Sequence, residues 1–245
     1  MTRILWINPV GTDEFDGPIR GYLIKHAAPG TEVDVVSFER GPHHLEYSVY
    51  EALVAADILR TVRRAEEQGY DAAVIGCFYD PFLYEARELS GMVVTAPAES
   101  SMALAMSLGT SFSIVVGRTK WVPQMRENVQ RYGMSERLVS FESVDMGVLE
   151  FQREPRETEK RIVQAARRAV EKGAEVIILG CTIEFGFYRQ VQEEVGVPVV
   201  DAVLAPFKHA EFLAEVRKRT GISHSRKGRF EPSPESEWLE WGIRV

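Results

Sequence analysis

Short apolar runs alternate along the chain with longer segments in which apolar and polar residues recur at helical spacing. The apolar runs predict strands at residues 4–8, 33–38, 72–76, 93–96, 112–117, 138–145, 176–180 and 198–201. The mixed segments predict helices at residues 46–68, 81–89, 100–108, 122–132, 158–171 and 207–219. In the first of these helices Leu53, Ile58 and Val62 recur at roughly helical spacing. Strands that alternate with helices are typical of parallel sheets covered by helices.

The chain contains a short internal repeat. Residues 69–77 and 173–181 each contain a glycine that ends a charged helix, then an acidic residue, a strand of buried type and Gly-Cys. Both cysteines of the chain, Cys77 and Cys181, therefore fall at the same place in two related halves. The repeat predicts an α/β fold of two pseudo-symmetric lobes, each a mostly parallel sheet flanked by helices. The site is expected in the cleft between them.

A cysteine after each strand suggests acid–base chemistry. Ligands of open α/β sheets collect beyond the carboxyl ends of the strands. A cysteine directly before a helix would also lie near a positive helix end, which favours the thiolate. Inverting a stereocentre requires one group to remove a proton from one face and another to deliver a proton to the opposite face. Thiols can do both, because their unperturbed pKa of about 8.5 can be tuned towards neutrality.

Other roles for the two cysteines are weaker. Cysteine is a common core residue, but that interpretation does not account for two at equivalent strand ends. Sulfurs each about 3–3.5 Å from a shared carbon would lie roughly twice as far from each other, whereas a disulfide bond is about 2 Å long. Zinc would need more ligands at close spacing. His43 and His44 are instead adjacent in a predicted exposed loop, and the other histidines are scattered.

Composition and charge restrict the class of partner. The 245 residues include 29 Lys and Arg against 36 Asp and Glu, a net charge of −7, and no basic run is long enough for a nucleic-acid surface. No apolar stretch approaches the roughly 18 residues of a membrane helix, and the run at residues 4–7 is too short for a signal peptide. We therefore expect a cytoplasmic protein with reduced thiols and a small-molecule substrate, and no nucleic-acid or membrane partner.

Several motifs carry a family resemblance through nearly the whole chain. They are Asn-Pro at 8–9, Gly-Pro-His-His-Leu-Glu at 41–46, Cys-Phe-Tyr-Asp-Pro at 77–81, Val-Val-Gly-Arg-Thr at 115–119, Leu-Gly-Cys at 179–181 and Ser-Arg-Lys-Gly-Arg-Phe at 225–230. Together they resemble the aspartate/glutamate/hydantoin racemase superfamily, and most closely its hydantoin racemase branch. The motif at 77–81 is the most specific of them.

The resemblance implies an organisation and a set of site residues. Each half would be a four-stranded lobe, the first formed by residues 1–97 and a returning C-terminal segment at 207–245, the second by residues 98–206. Cys77 and Cys181 would be the acid/base pair, with no metal or other cofactor. Substrate oxygens would be held by side chains or backbone N–H groups of a further set of residues: Asn8, Phe78, Tyr79, Thr119 and Thr182.

Two departures from the hydantoin racemase pattern leave the substrate open. Tyr79 and Phe82 are bulky where that branch has small residues after the first cysteine. After the second cysteine, Thr182-Ile183-Glu184-Phe185 replaces the usual Ala-Gly and looks more like the Cys-Thr of amino-acid racemases. Glu184 is expected either to orient Cys181 or the substrate, or to complement a helix start.

Two aspartates and two tryptophans have more than one interpretation. Asp80 before Pro81 is typical of an N-cap on the following helix, although it could hydrogen-bond near Cys77. Asp201, at a strand end, could bind substrate or cap a helix. Trp238 and Trp241 predict a tail held on the body of the protein or on another subunit, and a homo-oligomer is expected.

The leading hypothesis is racemisation of a five-membered cyclic ureide, such as a 5-substituted hydantoin or allantoin. Aromatic residues near both thiols favour an apolar or aromatic substituent over a charged diacid, for which Arg118 is the one candidate partner. Alternatives within the superfamily are an amino-acid racemase and a cis–trans diacid isomerase with one nucleophilic cysteine. A different class is a non-catalytic, two-lobed protein that binds a small molecule.

Overall fold

A computed structural model describes residues 1–243 as helices packed on two parallel sheets. The strands are β1 (Thr2–Ile7), β2 (Thr31–Val36), β3 (Ala72–Ile75), β4 (Val93–Thr95), β5 (Phe112–Val116), β6 (Leu138–Ser143), β7 (Val176–Leu179) and β8 (Val199–Val200). The helices are α1 (Asp16–His26), α2 (Ser48–Leu53), α3 (Ala55–Glu67), α4 (Leu83–Leu89), α5 (Pro97–Leu108), α6 (Val122–Arg131), α7 (Pro155–Glu171), α8 (Tyr188–Val195), α9 (Leu204–Thr220) and α10 (Glu235–Glu240).

The two sheets have the same topology. Their strand orders are β2-β1-β3-β4 and β6-β5-β7-β8, and every pairing is parallel. The strands β3 and β7 hold equivalent positions and are buried along their whole length, as expected of inner strands covered on both faces. The predicted α/β fold with two parallel sheets is confirmed, and both copies of the sequence repeat end in equivalent strands.

Contacts between residues divide the chain into two compact units. The first contains residues 1–76, residues 81–95 and the segment from Phe207 onward, and the second contains Cys77–Asp80 and Ala96–Pro206. This division differs from the predicted one, which fell between residues 97 and 98, in one respect that concerns the candidate site. The four residues that begin with Cys77 group with the second unit, although the strand before them belongs to the first.

The predicted helix at residues 46–68 is two helices. The break falls at Val54, whose φ of −101° and ψ of 1° are not helical. Val54 is buried, whereas the preceding Leu53 is 68% exposed. The buried face of α3 is therefore formed by Ile58, Val62 and Ala65, and Leu53, which the sequence placed in one helix with Ile58 and Val62, ends α2 instead. The break allows the chain to enter α3 with Val54 towards the core.

Prolines account for three helix starts that the sequence prediction placed too late. The helices α5 and α7 begin at Pro97 and Pro155, and α9 has Pro206 in its first turn. Proline is tolerated there because the first N–H groups of a helix have no partner within it. Helix α1 was missed altogether, since Gly17, Pro18 and Gly21 lower its helix propensity.

The C-terminal tail lies against helix α4. The guanidinium of Arg226 donates hydrogen bonds of 2.7 Å to the carbonyl oxygens of Arg87 and Ser90 at the end of that helix. Trp238 is half-buried and lines a small cavity with Arg226, whereas Trp241 is 62% exposed. The tail is thus held on the body of the protein, while the homo-oligomer stays a prediction. In the part of the chain described, no helix is both long and apolar enough to cross a bilayer.

Candidate active site

The glycine before each cysteine closes the sheet in the same way in both units. The Gly76 N–H donates to the carbonyl oxygen of Ile7, and the Gly180 N–H donates to that of Val115, each at 2.8 Å. A Cβ on Gly76 would lie 2.5 Å from the Trp6 indole nitrogen, and one on Gly180 would lie 2.5 Å from the Val115 oxygen. Neither position has room for a side chain, which explains why both copies of the repeat have glycine there.

Alanine at position 180 is expected to destabilise the protein by about 1–3 kcal/mol, because the backbone oxygen of Val115 cannot move aside without disturbing the sheet. For a chain of this size that corresponds to roughly 2–12 °C in Tm. The matched control is Gly21→Ala in α1, where an added Cβ meets nothing within 4 Å and should leave Tm unchanged or slightly higher. Equal Tm values for Gly180→Ala and the wild type would contradict this steric account.

The two cysteines differ in burial but share their position after a strand. Cys77 is half-buried and Cys181 is 8% exposed, and both are reduced thiols. The expectation that each directly precedes an α-helix was wrong. Helix α4 begins only at Leu83 and α8 at Tyr188, while Cys181 is followed by a short 3-10 turn, Thr182–Glu184. Neither cysteine therefore directly precedes the α-helix whose positive end was expected to favour its thiolate.

Asp80 caps a helix, but not the one that follows it. Its carboxylate accepts hydrogen bonds from the N–H groups of Ala98 (2.7 Å) and Glu99 (2.8 Å) at the start of α5, and from the Tyr132 hydroxyl (2.8 Å). The prediction that Asp80 caps the helix after Pro81 was wrong, because α4 begins only at Leu83, its N-cap residue is Phe82, and no side chain caps it. Burial raises the pKa of the Asp80 carboxyl to about 7, although its three donors oppose the rise.

Glu184 supports the segment that carries Cys181. Its Oε2 accepts a 3.2 Å hydrogen bond from the Cys181 N–H, and its N–H donates to the carbonyl oxygen of Cys181 at 3.1 Å. Its Oε1 is buried and has no hydrogen-bond partner among residues 1–243. Burial raises the pKa of Glu184 well above its ordinary value, and the negative charge of Asp201 raises it further. Burial thus favours the neutral form of the Glu184 carboxyl more than water would.

Two further polar side chains fix the loop after Cys181. Asp201 accepts from the N–H groups of Val203 (2.8 Å) and Leu204 (3.1 Å) at the start of α9, and from the N–H of Gly186 (3.0 Å). Its helix-cap interpretation is confirmed by these contacts. The Gln152 amide donates to the carbonyl oxygen of Ile183 at 2.7 Å. The second cysteine thus lies on a loop that is hydrogen-bonded to its surroundings on both sides.

The remaining predicted site residues differ in their surroundings. Phe78, Tyr79 and Thr182 are buried beside the cysteines, and Thr119 is exposed at the start of a 3-10 turn after β5. Asn8 alone belongs to the first unit. There its amide accepts from the Trp6 indole N–H at 2.7 Å and donates to Asp16 at 2.5 Å. Much of its hydrogen-bonding capacity is therefore used within the first unit, by Trp6 of β1 and Asp16 of α1.

Apolar side chains follow Cys181 in the second unit. Ile183 and Phe187 are each 8% exposed, and Phe185 is half-buried. Arg118, at the end of β5, is half-buried as well. His43 is exposed, and His44 lies 3.9 Å from the Glu46 carboxylate. Among the described residues 1–243, no three His, Cys, Asp or Glu side chains gather as a set of metal ligands would.

Two side chains that the sequence interpretation did not single out support the first cysteine loop. The Asn128 amide donates to the carbonyl oxygen of Tyr79 at 2.6 Å, and Tyr132 donates to Asp80. Asn128 lies on the buried face of α6 with Met125 and Val129, and Tyr132, which is half-buried, directly follows that helix. The sequence signal that could have identified Asn128 is its position between the apolar residues Met125 and Val129 on one face of the predicted helix.

Comparison with known proteins gives a consistent result. The family model described as Asp/Glu/Hydantoin racemase matches residues 4–210. A hydantoin racemase of Pseudomonas sp. (strain NS671) is 36% identical over 219 residues, which are 89% of this chain and 88% of the relative. One of Paenarthrobacter aurescens is 34% identical over 239 residues, 97% of this chain and 100% of the relative. The solved structure of an allantoin racemase from Klebsiella pneumoniae is similar with a TM-score of 0.87 at 30% identity, covering 96% of this chain and 95% of that one.

Proposed function

Since this chain belongs to the Asp/Glu/hydantoin racemase family and is a racemase of the hydantoin or allantoin racemase type, we propose that it inverts C5 of a 5-substituted hydantoin or related cyclic ureide. Cys77 and Cys181 are the proposed acid and base, one for each face of that carbon. The observation that carries the proposal is the placement of the only two cysteines of the chain directly after β3 and β7, which are equivalent strands in two sheets of identical order.

The proposed reaction requires one thiolate and one thiol. The thiolate takes the proton from C5, and the electron pair of the C–H bond moves into the neighbouring carbonyl to give an enolate. The thiol on the opposite face then delivers its proton to C5, which restores the carbonyl and inverts the centre. The two sulfurs exchange protonation states in each turnover, so the enzyme that has inverted one enantiomer is ready for the other. Neither step transfers electrons to or from an outside oxidant or reductant.

Donors beside the cysteines suit the enolate. Backbone N–H groups held in fixed positions stabilise an oxyanion best when they need not reorganise during the reaction. The N–H groups of Phe78 and Tyr79 follow Cys77, and the N–H group of Thr182 follows Cys181. Asn128 holds the carbonyl oxygen of Tyr79, and Glu184 holds the N–H of Cys181. We propose that these groups, with the side chains of Asn8, Thr119 and Thr182, receive the oxygens of the ureide ring. Glu184 is proposed to act through the backbone of Cys181.

The substrate proposal rests on the residues after the cysteines. Phe78, Tyr79, Ile183 and Phe187 are almost fully buried apolar or aromatic side chains in the second unit, and rings of this kind stack on flat molecules. The relatives named hydantoin racemase are similar to this chain over most of their length, which supports a hydantoin as the substrate. Allantoin, the substrate in the name of the Klebsiella protein, has the same ring with a polar substituent.

A chiral assay against a panel of substrates tests this proposal. The panel contains 5-benzyl- and 5-isobutylhydantoin, allantoin, aspartate and glutamate, each supplied as one enantiomer and followed by polarimetry. We expect racemisation of the hydantoins. If none of the five is racemised, the proposed function is contradicted. If allantoin is turned over faster than both hydantoins, the reaction class stands and the proposed substrate changes from an apolar hydantoin to allantoin.

Racemisation should not depend on an added metal or organic cofactor but should depend on the thiols. Activity is expected to survive exhaustive dialysis against a chelator, and to fall by at least about 10²-fold after complete alkylation with iodoacetamide. Saturating substrate should slow the alkylation, since it would cover both sulfurs. Activity that is lost on chelation and restored by a divalent ion would contradict this expectation, as would full activity of an enzyme with both cysteines alkylated.

A further inference from the structure

The backbone after Cys77 adopts a conformation that non-glycine residues rarely take. Asp80 and Phe82 have φ values of 50° and 56°, in the left-handed region. Each such residue is unfavourable in isolation, and it persists only where the surrounding structure holds it. Asp145 is the one other residue of this kind within residues 1–243. Two of the three therefore lie within five residues of a proposed catalytic thiol.

A buried set of hydrogen bonds within the second unit holds Tyr79 and Asp80. Asp80 is fully buried, and its carboxylate accepts from two N–H groups at the start of α5 and from the Tyr132 hydroxyl. Asn128, which is 3% exposed, donates to the carbonyl oxygen of Tyr79 at 2.6 Å. We call Asp80, Asn128 and Tyr132 the polar clamp. Through it, the segment Cys77–Asp80 is tied to helices α5 and α6.

Burying the carboxylate of the clamp is unfavourable in free energy compared with burying an apolar side chain. A buried carboxylate loses its hydration, and an apolar side chain of similar size would fill the same volume without that loss. The pKa of the Asp80 carboxyl, raised to about 7 by burial, reflects the same loss. In return for this lost hydration, the position of the turn is well defined, because three hydrogen-bond donors of fixed direction specify it more narrowly than apolar contacts do. Geometry of that kind is needed where a thiol must meet a carbon within a fraction of an ångström.

We propose that Asp80, Asn128 and Tyr132 are positioning residues for Cys77. The clamp fixes the left-handed turn, and the turn fixes the direction of the Cys77 thiol and of the N–H groups after it. None of the three side chains needs to touch the substrate. The catalytic consequence rests on the proposed function of Cys77, whereas the geometric consequence, a thiol of controlled accessibility, does not.

The test compares two tyrosines that each donate to an aspartate. Tyr132→Phe removes the 2.8 Å hydrogen bond to Asp80 and keeps the ring. The matched control, Tyr70→Phe, removes a 2.7 Å hydrogen bond to Asp34 in the first unit. Asn128→Leu removes the donor to Tyr79 at similar volume. Iodoacetamide alkylation of Cys77 and Cys181 is timed separately by peptide mass spectrometry from pH 6 to pH 10, and kcat and KM are measured on the hydantoin that the wild type racemises.

In Tyr132→Phe and Asn128→Leu, alkylation of Cys77 is expected to rise at least about fivefold because the turn opens more often. Alkylation of Cys181 in the same molecules should change less than about twofold. The kcat should fall about 10- to 100-fold with little change in KM, and Tyr70→Phe should change none of these values. Unchanged Cys77 alkylation or unchanged kcat in both clamp variants would overturn the proposal, as would an equal rise at both cysteines, which indicates general destabilisation. If the wild type racemises nothing, the proposed function fails, and the alkylation rates alone still decide whether the clamp controls Cys77.

Discussion

Serine in place of either Cys77 or Cys181 is expected to lower racemisation of both enantiomers by about 10²- to 10⁴-fold, the range that a single acid or base contributes. Each inversion needs both faces, so the loss of either sulfur stops both directions. A hydroxyl is a far weaker acid than a thiol and does not replace it near neutral pH. The measurement is the initial rate of optical rotation with each pure enantiomer of the hydantoin.

The two serine variants also serve as controls for each other's folding. Serine is close to cysteine in volume, so both variants should keep a Tm near that of the wild type. Loss of activity with an unchanged Tm assigns the effect to chemistry. Near-normal racemisation by either folded variant would rule out a mechanism with two thiols and would favour a single nucleophilic cysteine.

The second large effect concerns the substrate. We expect kcat/KM for 5-benzyl- or 5-isobutylhydantoin to exceed that for aspartate or glutamate by at least about 100-fold, because a site that offers no partner to a charged group rejects it strongly. A dicarboxylate needs a fixed cation for its second carboxylate. After Cys181, Ile183, Phe185 and Phe187 offer apolar area instead, and the ionisable residue among them, Glu184, is acidic and when ionised would repel a carboxylate.

Arg118 is the residue that decides between the two substrate classes. It lies directly before Thr119 and is half-buried. For the proposed hydantoin substrate, Arg118→Gln should change kcat/KM less than about threefold, since the substituent carries no charge. If aspartate or glutamate is the better substrate and Arg118→Gln removes that activity, the apolar pocket is the wrong description of the site.

The strands were predictable because burial on both faces leaves a simple trace in the sequence. The inner strands β3 and β7 are continuous apolar runs. The first is Ala-Ala-Val-Ile and the second is Val-Ile-Ile-Leu. Their predicted ends differ from the observed ones by about one residue, where Gly76 and Gly180 follow the ladder without belonging to it. The repeat also gave the position of both cysteines, since it depends only on local order along the chain.

Helix limits were less predictable because tertiary contacts decide them. Val54 interrupts a segment of roughly helical periodicity, and it is buried at the point where α3 begins. Asp80 precedes a proline, which is the local pattern of an N-cap, yet its acceptors are used by α5, far along the chain. Local patterns cannot distinguish a cap on the next helix from a cap on a later one.

Much of the support for the site was also beyond local patterns. Glu184 was identified as a residue that could orient Cys181 or complement a helix start, and its contact with the Cys181 N–H fits both, because that contact also caps the 3-10 turn Thr182–Glu184. Asn128 and Tyr132 were not identified, because their partners Tyr79 and Asp80 lie about fifty residues earlier. Asn128 lies on the buried face of α6 with Met125 and Val129, but the spacing of these residues does not indicate what the Asn128 amide contacts.

Hydrogen exchange at C5 in D₂O tests the pair of thiols most directly. Each pure enantiomer of the preferred hydantoin is incubated with Cys77→Ser or Cys181→Ser, and loss of the C5 proton is followed by NMR alongside optical rotation. A variant that retains one sulfur should still exchange the proton of the enantiomer facing that sulfur, without inverting it. The account predicts that the two variants exchange opposite enantiomers. Exchange of the same enantiomer by both variants, or inversion by either at a rate near that of the wild type, would contradict it.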